Sequence, residues 1–395
     1  MSSRYVVLFL ALLLGIQPVT TDLYLPALPA LRANLGAGMP QVQLTLTALL
    51  LAFGFSQLVW GPLSDRFGRR PILLWGTGLY VLSACVGALA PGIEVLIVCR
   101  AVQGVGMGAA VVCARALVRD VYQPLDAAQA MSRALSGLGV IACLSAPLGG
   151  AMAALFGWRM ALALPAVFGV VLWLLLSDRF RETLTRLNPD ALRPRDLWRN
   201  WCTIAANRAF RANSVQAAAS YGALFTYLAA SSFVFIQVLG WSIAGYGTVM
   251  FLMSLTYIVG TLWCRRLVVR RGVRRAVAVA SGFSLAAGLL MAALAYAGSG
   301  QPWYGGWAVL LPLSLFMLGH GVHQPCSQSG AVAPFPQMAG AASALNGVLT
   351  TVVAFGTGAW LGHAMDGTVF PLVHGFGFWT LVIAGNGWVG MQRHG

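Results

Sequence analysis

Two charged side chains stand inside long apolar stretches of this 395-residue chain, where ionisable groups are costly and are therefore candidates for function. Asp22 follows two threonines and precedes Tyr24 and the prolines of residues 26–29. Since an apolar setting disfavours a free carboxylate, Asp22 is a candidate for taking up and releasing a proton in the physiological range. The alternative is a carboxylate at the outer end of a helix, wetted by water.

Arg100 is the second of these residues. It precedes Gln103 and the pair Gly104 and Gly108, whose spacing gives a face of small residues that another helix can approach closely. An arginine stays charged, so Arg100 needs water, a carbonyl oxygen or an acidic partner. One role would be to modulate a nearby protonatable carboxylate. The alternative is an arginine that reaches outward from the start of its segment.

A charge-rich turn at residues 61–71 joins two apolar segments. It contains Gly61, Asp65, Arg66, Gly68, Arg69 and Arg70. Three arginines and an aspartate are costly to keep beside a membrane, so the turn predicts a gate or an element that fixes topology rather than a spacer.

Pro147, Gly149 and Gly150 lie together in a later apolar segment. Glycine and proline there allow tight packing and bending where two halves of a protein meet. A simple kink is the alternative.

Acidic residues are scarce: the chain has ten, and the only one in its last 185 residues is Asp366. A carboxylate that carries a proton must therefore lie in the N-terminal half, where we favour Asp22 over Glu94. His320 and His323 are alternatives, because imidazole titrates near neutrality. Their spacing places them on one helix face, and hydrogen bonding between helices is the simpler account. No further ligand accompanies them, so we predict neither a metal site nor a cofactor.

The elements that position these residues are membrane-spanning helices. Apolar residues make up 58% of the chain and charged residues 9%, whereas about a quarter of the residues of a soluble domain are charged. Windows of about 20 apolar residues predict an all-α integral membrane protein with twelve spanning segments. The segments lie near residues 5–32, 41–62, 72–90, 94–117, 131–155, 160–177, 211–237, 244–264, 276–297, 304–325, 338–361 and 368–391.

The arginines predict the orientation. With a cytoplasmic N-terminus, 22 arginines fall in cytoplasmic segments, whereas only Arg32 and Arg159 fall outside. This asymmetry follows the positive-inside rule and places both termini in the cytoplasm. It also explains the net charge of +15 without a nucleic-acid partner.

A polar stretch divides the chain into two halves of six segments. We predict an N-terminal bundle at residues 1–178, a cytoplasmic loop at 179–209 and a C-terminal bundle at 210–395. The sequence Gly-Arg-Arg at 68–70 has an echo in Gly-Val-Arg-Arg at 272–275, at the equivalent place in the second half. This echo suggests a parallel internal repeat, as found in some transporters.

Several of these motifs resemble those of the major facilitator superfamily. Residues 61–70 resemble its motif A, and Arg100 with Gln103, Gly104 and Gly106 resembles motif B of proton-coupled members. Residues 146–150 are similar to the antiporter motif C, but Ala stands before Pro147 and one residue fewer precedes the glycines.

Other stretches resemble the bicyclomycin- and chloramphenicol-resistance (Bcr/CflA) exporters: residues 22–29, 43–46, 119–122 and 335–343. The resemblance implies drug export coupled to proton influx, with Asp22 and Arg100, together with Tyr24 and Gln103, in the coupling and substrate-binding region. It also implies a cytoplasmic gate contact formed by Asp65, Arg69 and Asp120, with Asp65 facing the start of the eleventh helix, where the helix dipole favours a carboxylate.

We therefore expect a secondary transporter of the inner membrane that works by alternating access, with two six-helix bundles rocking about a midplane site. Its expected partners are protons, a drug-like small molecule and the lipid bilayer, and the protein is expected to be a monomer. The alternative is a proton-coupled or facilitative transporter of a small metabolite. A membrane-embedded enzyme would need a nucleophile, a metal-binding carboxylate cluster or a His-Asp pair at the interface. It is not expected, because the chain has ten acids in all and its two close acidic-basic sites are gate-like.

Overall fold

The computed structural model describes residues 3–122, 124–184, 187–189, 191–301 and 303–394, which contain helices and no strands. In the first half of the chain the α-helices are α1 (Ser3–Thr21), α2 (Leu28–Leu35), α3 (Met39–Phe67), α4 (Arg69–Ala88), α5 (Ile93–Val121), α6 (Pro124–Phe156) and α7 (Trp158–Arg179). They are followed by α8 (Pro194–Ala206), α9 (Arg208–Phe233), α10 (Ile243–Gly298), α11 (Gly306–Val332), α12 (Ala339–Ala364), α13 (Phe370–Gly385) and α14 (Met391–His394).

Ten helices of the described ranges are long and apolar enough to cross a membrane. One of them, α10, has 56 residues. That is about 80 Å of helix, whereas the apolar core of a bilayer is ~30 Å thick. The backbone of α10 leaves the helical conformation at Gly272, so α10 contains two of the predicted segments. The last predicted segment is shared by α13, a π-helical turn at Asn386–Gly390, and α14. Each predicted segment thus corresponds to helix in the structure.

The first spanning segment is broken. Helix α1 ends at Thr21, residues 22–24 form a turn, and a 3₁₀-helix at Leu25–Ala27 leads into α2. Pro26 lies in the first turn of the 3₁₀-helix and Pro29 in the first turn of α2. Proline lacks an N–H and fixes φ, so it suits a helix start and interrupts a continuous helix. The break places Asp22 and Tyr24 outside regular α-helix.

The chain divides into two compact units, Met1–Asn200 and Trp201–Gly395. The boundary falls within α8, inside the stretch predicted as a cytoplasmic loop. In the first unit α1 packs on α5, α6 and α7, while α4 packs on α5 and α7 and α3 packs on α5. In the second unit α9 packs on α11, α12 and α13, and α10 packs on α11 and α13. The same pattern of helix pairs in each unit supports the parallel repeat.

The two echoed turns also share a backbone conformation. Gly68 has φ 97° and ψ 161°, and Gly272 has φ 75° and ψ 165°. A positive φ with an extended ψ strains any residue with a side chain. Glycine therefore lets consecutive helices turn within a single residue in both units.

Candidate functional site

Arg100, on α5, is a buried cation in the first unit. Only 1% of its surface is exposed. Its guanidinium donates to the side-chain oxygen of Gln103 (2.8 Å) and to the carbonyl oxygen of Thr20 (3.0 Å). A longer bond of 3.4 Å reaches the carbonyl oxygen of Thr45. The group thus ties together α1, α3 and α5.

Tyr24 covers the guanidinium of Arg100. The charged carbon lies 4.5 Å from the centre of the tyrosine ring, a cation–π arrangement. The hydroxyl of Tyr24 hydrogen-bonds to the hydroxyl of Thr45 at 2.7 Å, and that of Tyr80 bonds to the hydroxyl of Thr20 at 2.7 Å. We call the set of Thr20, Tyr24, Thr45, Tyr80, Arg100 and Gln103 the Arg100 cluster. Three of the four residues predicted for the coupling region, Tyr24, Arg100 and Gln103, belong to it.

Asp22, the fourth, lies beside the cluster. Its side chain is half-buried, and it accepts a hydrogen bond from the hydroxyl of Thr21 (2.8 Å). Across the described part of the chain, no ion pair within 4.0 Å involves Asp22 or Arg100. Arg100 and Asp22 are linked only through the main chain in this part of the structure. Arg100 donates to the carbonyl oxygen of Thr20, two residues before Asp22.

Small residues allow the close packing around this site. A Cβ atom at Gly104 would overlap the carbonyl oxygen of Leu49 on α3. A Cβ atom at Gly149, on α6, would likewise overlap the carbonyl oxygen of Leu23, next to Asp22. Pro147 lies inside α6 and Gly150 is buried. The predicted motif-C segment therefore touches the break that carries Asp22, a contact within the first unit that the sequence did not predict.

A second group of charges lies between α3 and α4. Arg69 is 2% exposed and donates to Asp65 (2.7 Å), Asp120 (2.9 Å) and the hydroxyl of Ser64 (2.6 Å). Asp120 is 11% exposed and Asp65 is 44% exposed. The structure brings together the three residues predicted to form a gate contact, and we call Asp65, Arg69 and Asp120 the turn cluster.

Gly61 and Arg66 are not part of the turn cluster. A Cβ atom at Gly61 would meet only Val112, at 4.0 Å, so no close approach requires glycine there. Arg66 is exposed, and its guanidinium lies 5.5 Å from the centre of the Phe67 ring.

Glu182 is a functional candidate that the sequence analysis did not identify. Its carboxylate accepts hydrogen bonds from the backbone N–H groups of Arg69 (2.9 Å) and Arg70 (3.0 Å), at the start of α4. A Cβ atom at Gly68 would meet this carboxylate, which is a second reason for glycine at that position. The sequence signal that could have identified Glu182 is the scarcity of acidic residues, since it is one of only ten in the chain.

The carboxylate of Glu182 is held in its ionised form. Partial burial raises its pKa, but hydrogen bonds from the backbone N–H groups of Leu184, Arg70, Arg69 and Thr183 outweigh that effect and lower the pKa below its usual value. A negative charge at a helix N-terminus is also favoured by the helix dipole. Nearby, the N–H of Asn188 donates to the carbonyl oxygen of Asp65 at 2.9 Å. The chain after α7 is thus fastened to the α3–α4 turn.

His320 and His323 lie on α11, buried in the second unit. His320 bonds to the hydroxyl of Ser220 (2.8 Å), and His323 bonds to the side chains of Gln216 (3.2 Å) and Ser284 (3.2 Å). These contacts are hydrogen bonds between helices, the simpler of the two accounts given above. In the ranges that the structure describes, no group of three or more His, Cys, Asp or Glu side chains is arranged to hold a metal ion.

Comparisons with known proteins agree with this architecture. The family model of the Major Facilitator Superfamily matches residues 10–359. Multidrug resistance protein D of Escherichia coli is 30% identical over 349 residues, covering 87% of this chain and 85% of that protein. The bicyclomycin resistance protein homolog of Haemophilus influenzae is 27% identical over 372 residues, covering 94% of this chain and 92% of that protein.

Solved structures share the fold at low sequence identity. A D-xylose–proton symporter superposes with a TM-score of 0.75 at 14% identity, covering 100% of this chain and 97% of the symporter. The human organic anion transporter MFSD10 superposes with a TM-score of 0.70 at 20% identity, covering 98% of this chain and 99% of that one. These similarities concern the fold alone. The matched family model and the relative that is 30% identical establish that the chain belongs to the Major Facilitator Superfamily, a family of membrane transporters and not of enzymes.

Proposed function

We propose that this transporter exports small, largely apolar drugs across the inner membrane in exchange for protons, and that Asp22 carries the proton. Membership of the superfamily supports transport of small molecules through the bilayer. The names of the relatives, which refer to multidrug and bicyclomycin resistance, support the choice of cargo. In this proposal the protein acts as a monomer with both termini in the cytoplasm.

The position of Asp22 is the observation that carries the proposal. The residue lies at the break between α1 and the following 3₁₀-helix, and its side chain is half-buried. Discontinuous spanning helices are where transporters of known structure bind substrates and coupling ions. The described residues supply Asp22 with no cation within ion-pair distance.

The Arg100 cluster provides the electrostatic setting. Arg100 is a fixed positive charge, because an arginine keeps its proton in proteins. Its hydrogen bond to the carbonyl oxygen of Thr20 holds this charge against the end of α1, two residues before Asp22. In the proposed cycle Asp22 is protonated from outside as cargo leaves and releases the proton to the cytoplasm, which resets the site.

The turn cluster is proposed to act as a gate. Its ion pairs hold the ends of α3, α4 and α5 together, and separating Arg69 from Asp120 would leave a buried cation with only one of its two carboxylate partners. The ion pairs of the turn cluster therefore favour the arrangement in which the ends of α3, α4 and α5 are held together. We propose that its formation and rupture accompany the change of access, with Pro147, Gly149 and Gly150 allowing α6 to adjust.

The decisive experiment replaces Asp22 with asparagine, which has a similar shape but cannot bind a proton. The purified wild-type and Asp22→Asn proteins are placed in vesicles, and solute flux is measured after one side is acidified. The solutes include an amphenicol, a lipophilic cation and bicyclomycin. We expect drug movement opposite to proton movement in the wild type, and at least a tenfold loss in the variant. The matched control is Asp178→Asn, which removes an exposed carboxylate.

Two results would overturn the proposal. Unchanged flux of the Asp22→Asn protein, at equal insertion into vesicles, removes Asp22 from the mechanism. Movement of solute in the same direction as protons would instead favour import of a metabolite.

A further inference from the structure

Helix α8 has a face that the described part of the chain leaves exposed. Leu197 and Trp201 are half-buried and Ile204 is fully buried, so this side of the helix faces the protein. Ile204 packs into an apolar cluster with Phe210 and other residues of the second unit. A neighbouring stripe, formed by Trp198, Cys202 and Ala205 at helical spacing, is exposed, with Trp198 at 67%.

Two arginines border this stripe. Arg195 and Arg199 are one helical turn apart on the adjoining face, and the side chain of Arg199 is 74% exposed. Arg199 also forms an exposed ion pair with Asp196 at 3.3 Å. Exposed pairs of this kind contribute little stability, so an external anion can compete with Asp196 for the guanidinium.

The chain fixes the depth of α8 relative to the membrane. Helix α9, the first spanning helix of the second unit, begins at Arg208, separated from α8 by Asn207 alone. The side chain of Asn207 accepts a hydrogen bond from the N–H of Phe210 (3.0 Å), which caps α9 and fixes this junction. With 13 residues, α8 is about 20 Å long, too short to cross a bilayer. It must therefore lie at the surface from which α9 enters the membrane.

We propose that α8 is an interfacial helix that binds anionic phospholipid of the cytoplasmic leaflet. Trp198, Cys202 and Ala205 enter the boundary between head groups and acyl chains, and Arg195 and Arg199 bind the phosphates. Tryptophan is enriched at this depth, and amphipathic helices with basic edges bind anionic bilayers. The inference goes beyond the transport proposal but shares its assignment of the cytoplasmic side.

The first test places a nitroxide on Cys202 in a variant whose other cysteines are replaced by serine. The protein is placed in nanodiscs with and without phosphatidylglycerol, and collisions with oxygen and with a nickel chelate are compared. A label on Cys85, which is exposed on spanning helix α4, gives the lipid reference. A label at an Asp366→Cys substitution, in an exposed loop, gives the water reference.

In discs that contain phosphatidylglycerol, we expect the label on Cys202 to collide with oxygen and with the nickel chelate as the label on Cys85 does. Replacing Arg195 and Arg199 with glutamine should shift these collision rates toward those of the water reference. Nickel access equal to that of the loop label in the wild type would overturn the proposal. Shielding from both quenchers would also overturn it, because the stripe would then be covered by protein.

A second test needs no cysteine removal. The wild type and the Arg195→Gln/Arg199→Gln protein are purified in detergent, and retained lipids are measured by native mass spectrometry. Each arginine near an anionic surface contributes about a fivefold preference for anionic over neutral lipid. The double variant should lose this preference. Equal retention of phosphatidylglycerol and phosphatidylcholine by the wild type would contradict the proposal. Neither test measures transport, so a failure here leaves the role of Asp22 untouched.

Discussion

Arg69 and Arg100 are both buried cations, but their surroundings neutralise them differently. Arg69 contacts two carboxylates, whereas Arg100 contacts carbonyl oxygens, an amide and an aromatic ring. An ion pair can be separated and re-formed as a switch. The carbonyl oxygens of the main chain bind a cation without an ionised partner. This difference suits a gate at Arg69 and a standing charge at Arg100.

The residue-scale prediction concerns Glu182. Because its pKa is lowered in the folded protein, its contribution to stability is complete above the unfolded pKa of about 4.3 and is lost as pH falls through the folded value. Replacing Glu182 with glutamine should lower the free energy of unfolding by about 1 kcal/mol at pH 7, with allowance for solvent screening. The difference should vanish below the folded pKa. Thermal unfolding between pH 3 and 7 measures it.

Asp178→Asn is the control for this experiment, because it removes a carboxylate whose ion pair is largely exposed to solvent. It should leave the melting temperature within the error of the measurement at pH 7. An equal loss in both variants, or a loss from Glu182→Gln that persists at pH 3, would show that Glu182 does not act through its charge on α4.

Residue types predicted part of the site and missed the rest for a physical reason. Asp22 and Arg100 stood out because a charge within an apolar window is costly. Tyr80 and Thr20 did not, because aromatic and hydroxyl residues are common in spanning helices and only their contacts distinguish them. Glu182 lies in a polar stretch where an acid is unremarkable by type, and its partners on α4, Arg69 and Arg70, are more than a hundred residues away in the sequence.

At the scale of elements, the packing of α6 on the break in the first span is the most sensitive contact. Replacing Gly149 with alanine should push α6 away from Leu23, because the added methyl group would overlap the carbonyl oxygen of that residue. Overpacking of this kind costs about 1–3 kcal/mol. We expect a lower melting temperature and a loss of flux that exceeds the loss of folded protein.

The matched control is Gly282→Ala on α10, where an added Cβ meets nothing within 4 Å. It should leave the flux unchanged and should not lower the melting temperature, because alanine is favoured over glycine within a helix. If Gly149→Ala behaved like this control, the close approach of α6 to the break at Asp22 would be unimportant for both stability and flux.

The sequence predicted a helix well where the length of an apolar stretch is enough to identify it. It predicted helices less well where contacts with the rest of the protein determine their extent. Each of the twelve apolar windows corresponds to helix in the structure. The windows did not reveal that α10 continues through the eighth and ninth segments, because charged residues at 265–275 read as a loop. They also did not reveal α8, since a short amphipathic helix lies below the length that signals a span.

For the whole molecule, the arginine distribution predicts which side of the membrane each end faces. Asp366 lies in an exposed loop before α13, on the side assigned to the exterior, whereas 22 of the 25 basic residues fall on the side assigned to the cytoplasm. A membrane-impermeant maleimide should therefore label an Asp366→Cys protein in intact spheroplasts and fail to label it in inverted vesicles. Replacing the seven native cysteines with serine makes the reading unambiguous, and labelling only in inverted vesicles would reverse the topology.

The continuous course of α10 has a consequence for biosynthesis. Only Gly272 departs from helix between the two arms of α10. No flexible loop therefore separates the two successive hydrophobic stretches while the chain is being inserted. The six arginines of residues 265–275 resist translocation and stay on the side of synthesis. The two arms must then enter the bilayer as one helical hairpin, with the left-handed glycine at its tip.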